Sequence, residues 1–262
     1  MGLGEDALIR GAGSPRVFRI LLEYDGSGFF GWQVQPAVRT VQGEVERALA
    51  RVLGHEVKIS GAGRTDRGVH ALGQVASFES STNRPVGEIG RGLAALLPPD
   101  VLVREVVEAE AGFHARHSAV GRRYRYLMRL EPTALDRARS WVLPFRVRVT
   151  RMRMAARLLV GEHDFAAFGV ALAGCEYTRL RVTEVKLVRR GPVVAFEICG
   201  NRFLRKMVRS VVGGLVEVGR GRFDPDIIGR ALAPDREVVR FPVAPARGLY
   251  LVSVAYGDST NG

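Results

Sequence analysis

Lysine is nearly missing from this chain. Among 262 residues only Lys58, Lys186 and Lys206 carry an ammonium, which leaves 36 of the 39 basic residues as arginine. Cysteine is as scarce. Cys175 and Cys199 stand alone, with no paired spacing, and this excludes a disulfide framework or a thiolate zinc centre. No apolar run approaches the ~18 residues of a membrane span, and the acidic start Met1-Gly2-Leu3-Gly4-Glu5-Asp6 has no apolar core of a signal peptide. The expectation is a cytoplasmic protein with no membrane partner. A Gly-Lys-Ser/Thr phosphate loop is missing, and Gly61-Ala62-Gly63 lacks the third glycine and following helix of a dinucleotide fingerprint. His114 and His117 lie three apart without a third ligand at suitable spacing, so no metal site is expected.

What is present is positive charge. Acidic residues number 27, the formal net charge is +12 and the isoelectric point lies near 10.7. Such a balance makes a polyanion the default partner. Arginine adds a planar fork that fits phosphates and stacks on bases. GC-rich coding accounts for the arginine bias as well as RNA binding does, but the net charge still calls for a partner.

The apolar pattern divides the chain. Residues 1–15 are glycine-rich and unpatterned, and are expected to form a flexible tail. Val17 to Tyr24 alternates as a half-buried strand, with Phe18, Ile20, Leu22 and Tyr24 on one face. Thr40 caps a helix through Val41, Val45, Leu49 and Val52, stopped by Gly54. Val57–Ser60 and Gly73–Glu79 read as strands around a glycine-rich loop. Pro85 opens a second helix, and Val101 to Val107 is a further strand. The second part repeats this outline: a strand from Arg123 to Leu130, a helix from Arg151 to Val160, and a hairpin of Leu180–Val188 with Val193–Cys199. A helix from Phe203 to Val218, another from Asp224-Pro225 and a last strand from Leu249 to Tyr256 follow. This mixture predicts an α+β fold rather than a doubly wound parallel sheet. Two similar α/β halves of RRM/ferredoxin-like plan, residues 16–112 and 113–262, are expected to form one continuous, mainly antiparallel sheet, with helices on one face and a basic cleft on the other.

Three groups carry chemistry. Asp66 sits in Gly61-Ala62-Gly63-Arg64-Thr65-Asp66-Arg67-Gly68-Val69-His70, between two arginines that favour its ionised form. An accessible ionised carboxylate is a nucleophile or a base. The plain alternative is turn chemistry, an aspartate capping nearby N–H groups. Yet a carboxylate repels phosphate, so a protein that only binds RNA has little use for one there. Arg123-Tyr124-Arg125-Tyr126 places both tyrosines on one face of a strand. Tyr126 suits the core of the sheet, whereas Tyr124, nearer the strand start, suits stacking on an unpaired base. On the Phe203–Val218 helix, Arg205 and Arg209 share a face, and Arg205 reads as a solvated cation. Arg209 lies among Met207, Val208, Val211 and Val212 and needs a counter-charge, for which Asp66 is the candidate.

With these residues in view, the chain resembles the tRNA pseudouridine synthase A family from Phe18 to Tyr256. The resemblance is carried by Glu23-Tyr24-Asp25-Gly26 with Gly31-Trp32-Gln33, by Gly63 to His70 with Gly73-Gln74-Val75, and by Phe113-His114-Ala115-Arg116 with Arg122 to Tyr126. Met207-Val208-Arg209 with Gly213, and Gly248-Leu249-Tyr250-Leu251, complete it. It implies that Asp66 is the catalytic aspartate of a uridine isomerase, that Tyr124 stacks on the target uracil, that Arg64 helps extrude the base and that Arg209 pairs with Asp66. It further implies a homodimer that acts on tRNA uridines 38, 39 and 40 without a cofactor. The segment from Cys175 to Arg181 lacks the Arg-Thr-Pro run of that pattern, a departure that concerns local RNA contacts.

Isomerising uridine breaks the N–C glycosidic bond, turns the uracil and joins its C5 to the ribose. An ionised aspartate can attack C6 of the base or C1′ of the sugar, and the sequence leaves both open. A nucleoside or glycosidic-bond hydrolase is the rival enzyme, but it wants a second carboxylate, which does not lie near the Asp66 motif in sequence. A non-catalytic RNA-binding protein is the other rival.

Overall fold

A computed structural model of the chain describes residues 15–170, 177–234 and 239–257. Nearly all of the expected tail, Cys175 and part of the segment up to Arg181 fall outside these residues. The first strand, β1 (Arg16–Tyr24), buries Phe18, Ile20, Leu22 and Tyr24 on one face. Helix α1 (Val41–Leu53) begins where the Thr40 side chain accepts the Gly43 N–H and ends at Gly54 in the left-handed region, φ 80°. Strand β2 is only Ser60–Gly61, shorter than the expected Val57–Ser60. The reason is local. Ile59 is held by α1 side chains instead of a ladder, its N–H donating to the Glu46 carboxylate and its carbonyl accepting from Gln42. Strand β3 (His70–Ser80), helix α2 (Val86–Leu96) and strand β4 (Val101–Ala109) complete the first part.

Strand β5 (Ala119–Arg129) opens the second part and is followed by the two-residue β6 (Trp141–Val142). Helix α3 (Val149–Arg157), strand β7 (Gly161–Asp164) and the hairpin of β8 (Arg179–Arg190) with β9 (Val193–Gly200) come next. Helix α4 (Met207–Arg220), helix α5 (Ile227–Leu232) and strand β10 (Leu249–Tyr256) end the chain. The helix expected from Phe203 starts four residues later. Lys206 is left-handed at φ 64°, and Arg205 exchanges two backbone hydrogen bonds with Val170, so the apolar stripe begins before the helix does. Arg205 and Arg209 therefore do not share a helix face.

The protein is α+β, built on one continuous, mainly antiparallel sheet in the order β4-β1-β3-β10-β5-β9-β8-β7, with β2 beside β3 and β6 beside β5. Two pairings are parallel, β10 with β3 and β5 with β6. The last strand of the chain thus stands in the middle of the sheet. One core gathers β1, α1 and α2 residues such as Ile20, Val45 and Ile89, and reaches Leu251 of β10. Another gathers Met128, Phe196, Met152 and Leu215 from β5, β9, α3 and α4. A small third cluster, with Val17, Val75 and Phe113, covers the reverse side of β1 and β3. Tyr124 packs against both large cores and lies where they meet. Among the described residues no helix is long and apolar enough to cross a membrane.

Candidate functional site

The loop that carries Asp66 is fixed from below by close packing and by side chains. The Ala62 N–H donates to the Val75 carbonyl at 2.8 Å. The buried Gln74 amide donates to the Gly63 carbonyl at 2.7 Å. The Thr65 hydroxyl lies 2.8 Å from that of the buried Tyr24, and the Trp32 N–H donates to the Thr65 carbonyl at 3.0 Å. Two glycines allow this approach. A Cβ on Gly31, at φ 97°, would lie 2.7 Å from the Thr65 carbonyl oxygen, and one on Gly61 would lie 2.5 Å from the Trp32 ring. Behind the loop, Gly26 donates to His70 Nδ1 at 3.1 Å, and His70 Nε2 lies 3.2 Å from the Arg247 carbonyl.

Asp66 is thus presented on a rigid turn with its side chain 29 % exposed. Its partner comes from the other end of the chain. Arg209 Nη1 donates to Asp66 Oδ2 at 2.9 Å, while Arg209 Nε donates to the Ala244 carbonyl at 2.8 Å. The Arg209 side chain is only 16 % exposed, so its charge is compensated in place while the carboxylate keeps an open side. Ala244 returns the tie, its N–H donating to the Arg209 carbonyl. The flanking arginines behave differently from Arg209. Arg67 lies over the Phe30 ring, 4.1 Å from its centroid. Arg64 is exposed and makes no hydrogen bond or ion pair among the described residues.

Tyr124 is half-buried, edge-on to Phe203 with ring centroids 5.0 Å apart. A Cβ on Gly63 would lie 3.6 Å from its hydroxyl, which places the ring beside the Asp66 loop. Burial pushes this hydroxyl up to about 12, with Arg122 pulling it down and Asp66 pushing it further up, so it is a neutral phenol at physiological pH. Tyr126 is fully buried and donates to the Pro245 carbonyl at 2.7 Å. The opposite face of β5 is neutralised, with Arg123 paired to Glu184 and Glu197, Arg125 to Glu197 and Arg129 to Asp136. His114 and His117 face each other with ring centroids 4.4 Å apart, and no group of three metal-ligating side chains occurs among the described residues.

Arg122 carries a structural part that sequence reasoning missed. Its guanidinium donates to the carbonyls of Ala62, Arg116, Ala119 and Asn201, tying the start of the Asp66 loop to β5 and the end of β9. Burial draws its pKa down, the direction expected of a cation held by neutral acceptors. Gln74 and Tyr24 belong to short motifs, and Tyr24 also to the buried face of the first strand. Nothing in their spacing announces that they brace Gly63 and Thr65.

The model of a family described as tRNA pseudouridine synthase matches residues 20–118 and again 155–257. The chain is 41 % identical over 246 residues to a tRNA pseudouridine synthase A of Geobacter sp. (strain M21), covering 93 % of this chain and all of that protein. Similar values hold for the tRNA pseudouridine synthases A of Acetivibrio thermocellus, 40 % over 92 % of this chain and all of the relative, and of Chlorobaculum tepidum, 41 % over 94 % and all of the relative. A far looser likeness, with TM-score 0.35 and 15 % identity over 76 % of this chain and 44 % of the other, is to a chain in the crystal structure of the archaeal box H/ACA sRNP Nop10-Cbf5 complex. With relatives matched over their whole length and both parts of the family model present, the chain belongs to the tRNA pseudouridine synthase family, a family of isomerases.

Proposed function

We propose that this chain converts uridine to pseudouridine at positions 38, 39 and 40 of the tRNA anticodon stem-loop, with Asp66 as the nucleophile. The observation that carries this reading is the Asp66–Arg209 pair beside Tyr124: a carboxylate held at 2.9 Å by a mostly buried guanidinium, open on one side, next to an aromatic ring. Asp66 attacks C6 of the base or C1′ of the ribose, the N1–C1′ bond breaks, and the uracil turns within the site. C5 then bonds to C1′, the bond to Asp66 breaks and returns the carboxylate, C5 loses its proton and N1 gains one, so the change is an isomerisation. Splitting the reaction through a covalent intermediate divides one hard step into two easier ones.

The target base must first leave its stack, at a cost of a few kcal/mol. The unpaired Arg64 guanidinium helps draw it out, and Tyr124 gives it a face to stack on. Arg209 holds the carboxylate in place. The chemistry asks for no cofactor. The enzyme works in the cytoplasm as a homodimer, in which one subunit docks the tRNA while the other holds the target uridine. Sedimentation of the protein with and without tRNA checks that arrangement.

The test is release of tritium from tRNA labelled at uridine C5. Wild type is expected to release it and Asp66→Asn to release none, while Asp66→Asn still binds tRNA. Release confined to positions 38 to 40 supports the site assignment. Free uracil among the products would make the protein a hydrolase, and no release from any tRNA would leave it an RNA-binding protein.

A further inference from the structure

Among the described residues, Gln74 is the polar side chain most completely enclosed, its residue being 0 % exposed. It stands in the body of β3, opposite Leu22 of β1, on backbone that the sheet holds on both sides. Its amide is not free to choose its orientation. The Gly63 carbonyl can only accept, so the 2.7 Å contact comes from the amide N–H, and Oε1 is turned the other way. There it is buried and has no hydrogen-bond partner among the described residues. No other side-chain acceptor among those residues is left in this state.

A buried acceptor without a donor weakens a fold. An apolar side chain of the same length would avoid that cost. Costs of this kind gather where function requires the group, and for Gln74 the group in use is the donor end. That end carries the loop of Asp66. Gly63 lies three residues before Asp66 and has no side chain to hold it, and a Cβ on it would lie 3.6 Å from the Tyr124 hydroxyl. The same amide nitrogen lies 3.5 Å from the Tyr24 hydroxyl, itself 2.8 Å from the hydroxyl of Thr65, the residue before Asp66. One side chain therefore supports the loop at Gly63 directly and at Thr65 through Tyr24.

We infer that Gln74 is a positioning residue for the isomerisation, setting the Asp66 carboxylate against the Tyr124 ring through the Gly63 carbonyl. It touches no reacting atom. A carboxylate displaced by about 1 Å loses its attacking geometry, which costs up to about 100-fold in rate. The inference rests on the proposed reaction and on Asp66 as its nucleophile.

The test is single-turnover tritium release by the full-length chain on a tRNA transcript labelled at uridine C5, with thermal unfolding measured beside it. Gln74→Met keeps the length of the side chain and removes the unpaired acceptor together with the donor. It is expected to unfold close to wild type and to keep the half-saturating enzyme concentration, while its maximal rate falls about 10- to 100-fold. Gln74→Glu separates positioning from packing. When protonated, its carboxyl donates to the Gly63 carbonyl as the amide does; when ionised, it sets a charged oxygen against that carbonyl. Burial raises the pKa of a carboxyl, so the rate relative to wild type should be near one at about pH 5.5 and fall as the pH rises to about 8.5. Gln74→Met with a wild-type maximal rate overturns the inference, as does a ratio of Gln74→Glu to wild type that is independent of pH. A Gln74→Met loss confined to half-saturation, or one that accompanies a large drop in unfolding temperature, also overturns it, since Gln74 then serves binding or folding alone. Wild type that releases no tritium sinks the proposed reaction and the inference with it, whereas active wild type with unchanged variants sinks the inference only.

Discussion

Asp66 has three arginines around it, and they do three different things. Charge proximity in sequence singles out Arg64 and Arg67, yet Arg67 is spent on the Phe30 ring and Arg64 extends into solvent. The contact is made by Arg209, 143 residues away. Arg209 is legible because a lone cation in the run Met207 to Val212 demands a counter-charge, for which Asp66 is the candidate. Its second bond, to the Ala244 carbonyl, was not legible, because a backbone acceptor leaves no trace in sequence. Tyr124 and Tyr126 separate in the same way. Alternation places both on one face, but only the packing shows Tyr126 fully enclosed and Tyr124 bordering the Asp66 loop. Replacing Arg209 by Met leaves Asp66 and the Ala244 carbonyl without their donor and should destabilise the protein by about 1–3 kcal/mol. Adding Asp66→Asn to Arg209→Met should cost less than the sum of the two single changes, because the pair is coupled. Urea midpoints of the four proteins measure both effects, and strict additivity would mean that the pair contributes nothing of its own.

The helices show how far local chemistry reaches. Helix α1 appears where Thr40 and Gly54 announce it, since a side-chain cap and a left-handed stop are local devices. Helix α4 does not start where its apolar period starts. Phe203 continues the stripe but belongs to the segment before the helix, where it meets Tyr124 edge-on. The cause is the pairing of Arg205 with Val170, a contact between segments that periodicity cannot register. The same helix carries Gly213, and a Cβ there would lie 1.7 Å from the Pro242 carbonyl oxygen. Glycine to alanine inside a helix ordinarily stabilises by up to about 1 kcal/mol. Gly213→Ala should reverse that sign, destabilising by about 1–3 kcal/mol through overpacking. It should also lower turnover, because displacing Pro242 moves Ala244 and with it the anchor of Arg209. Thermal unfolding together with tritium release checks the prediction. A more stable and fully active variant would show that the segment shifts freely.

At the scale of the whole molecule, β10 decides the architecture. It pairs with β5 along its length and with β3 at Tyr250 and Leu251, so the last strand of the chain joins the first part of the sheet to the second. It also delivers Leu251 to the first core and Leu249 to the second. Removing residues 249–262 would leave β3 and β5 with unpaired edges in the middle of the sheet, an arrangement prone to aggregation. The truncated chain is expected to be insoluble or to lose the cooperative unfolding of the full chain in urea. A soluble, cooperatively folded truncation would mean that the two parts do not depend on this strand. Alternation along Leu249 to Tyr256 marks the segment as a strand, and no local signal says that it lies between β3 and β5. Most strands, the ends of α1, the charge, the carboxylate of the glycine-rich loop and the aromatic beside the arginines are legible in the sequence, because they follow from propensity, caps and composition within a few residues. Only the folded chain settles the second anchor of Arg209 at Ala244, the late start of α4 and the way Arg122, Gln74 and Tyr24 brace the Asp66 loop. Those outcomes depend on contacts between segments far apart in the chain, and such contacts are chosen by the packing of the whole sheet.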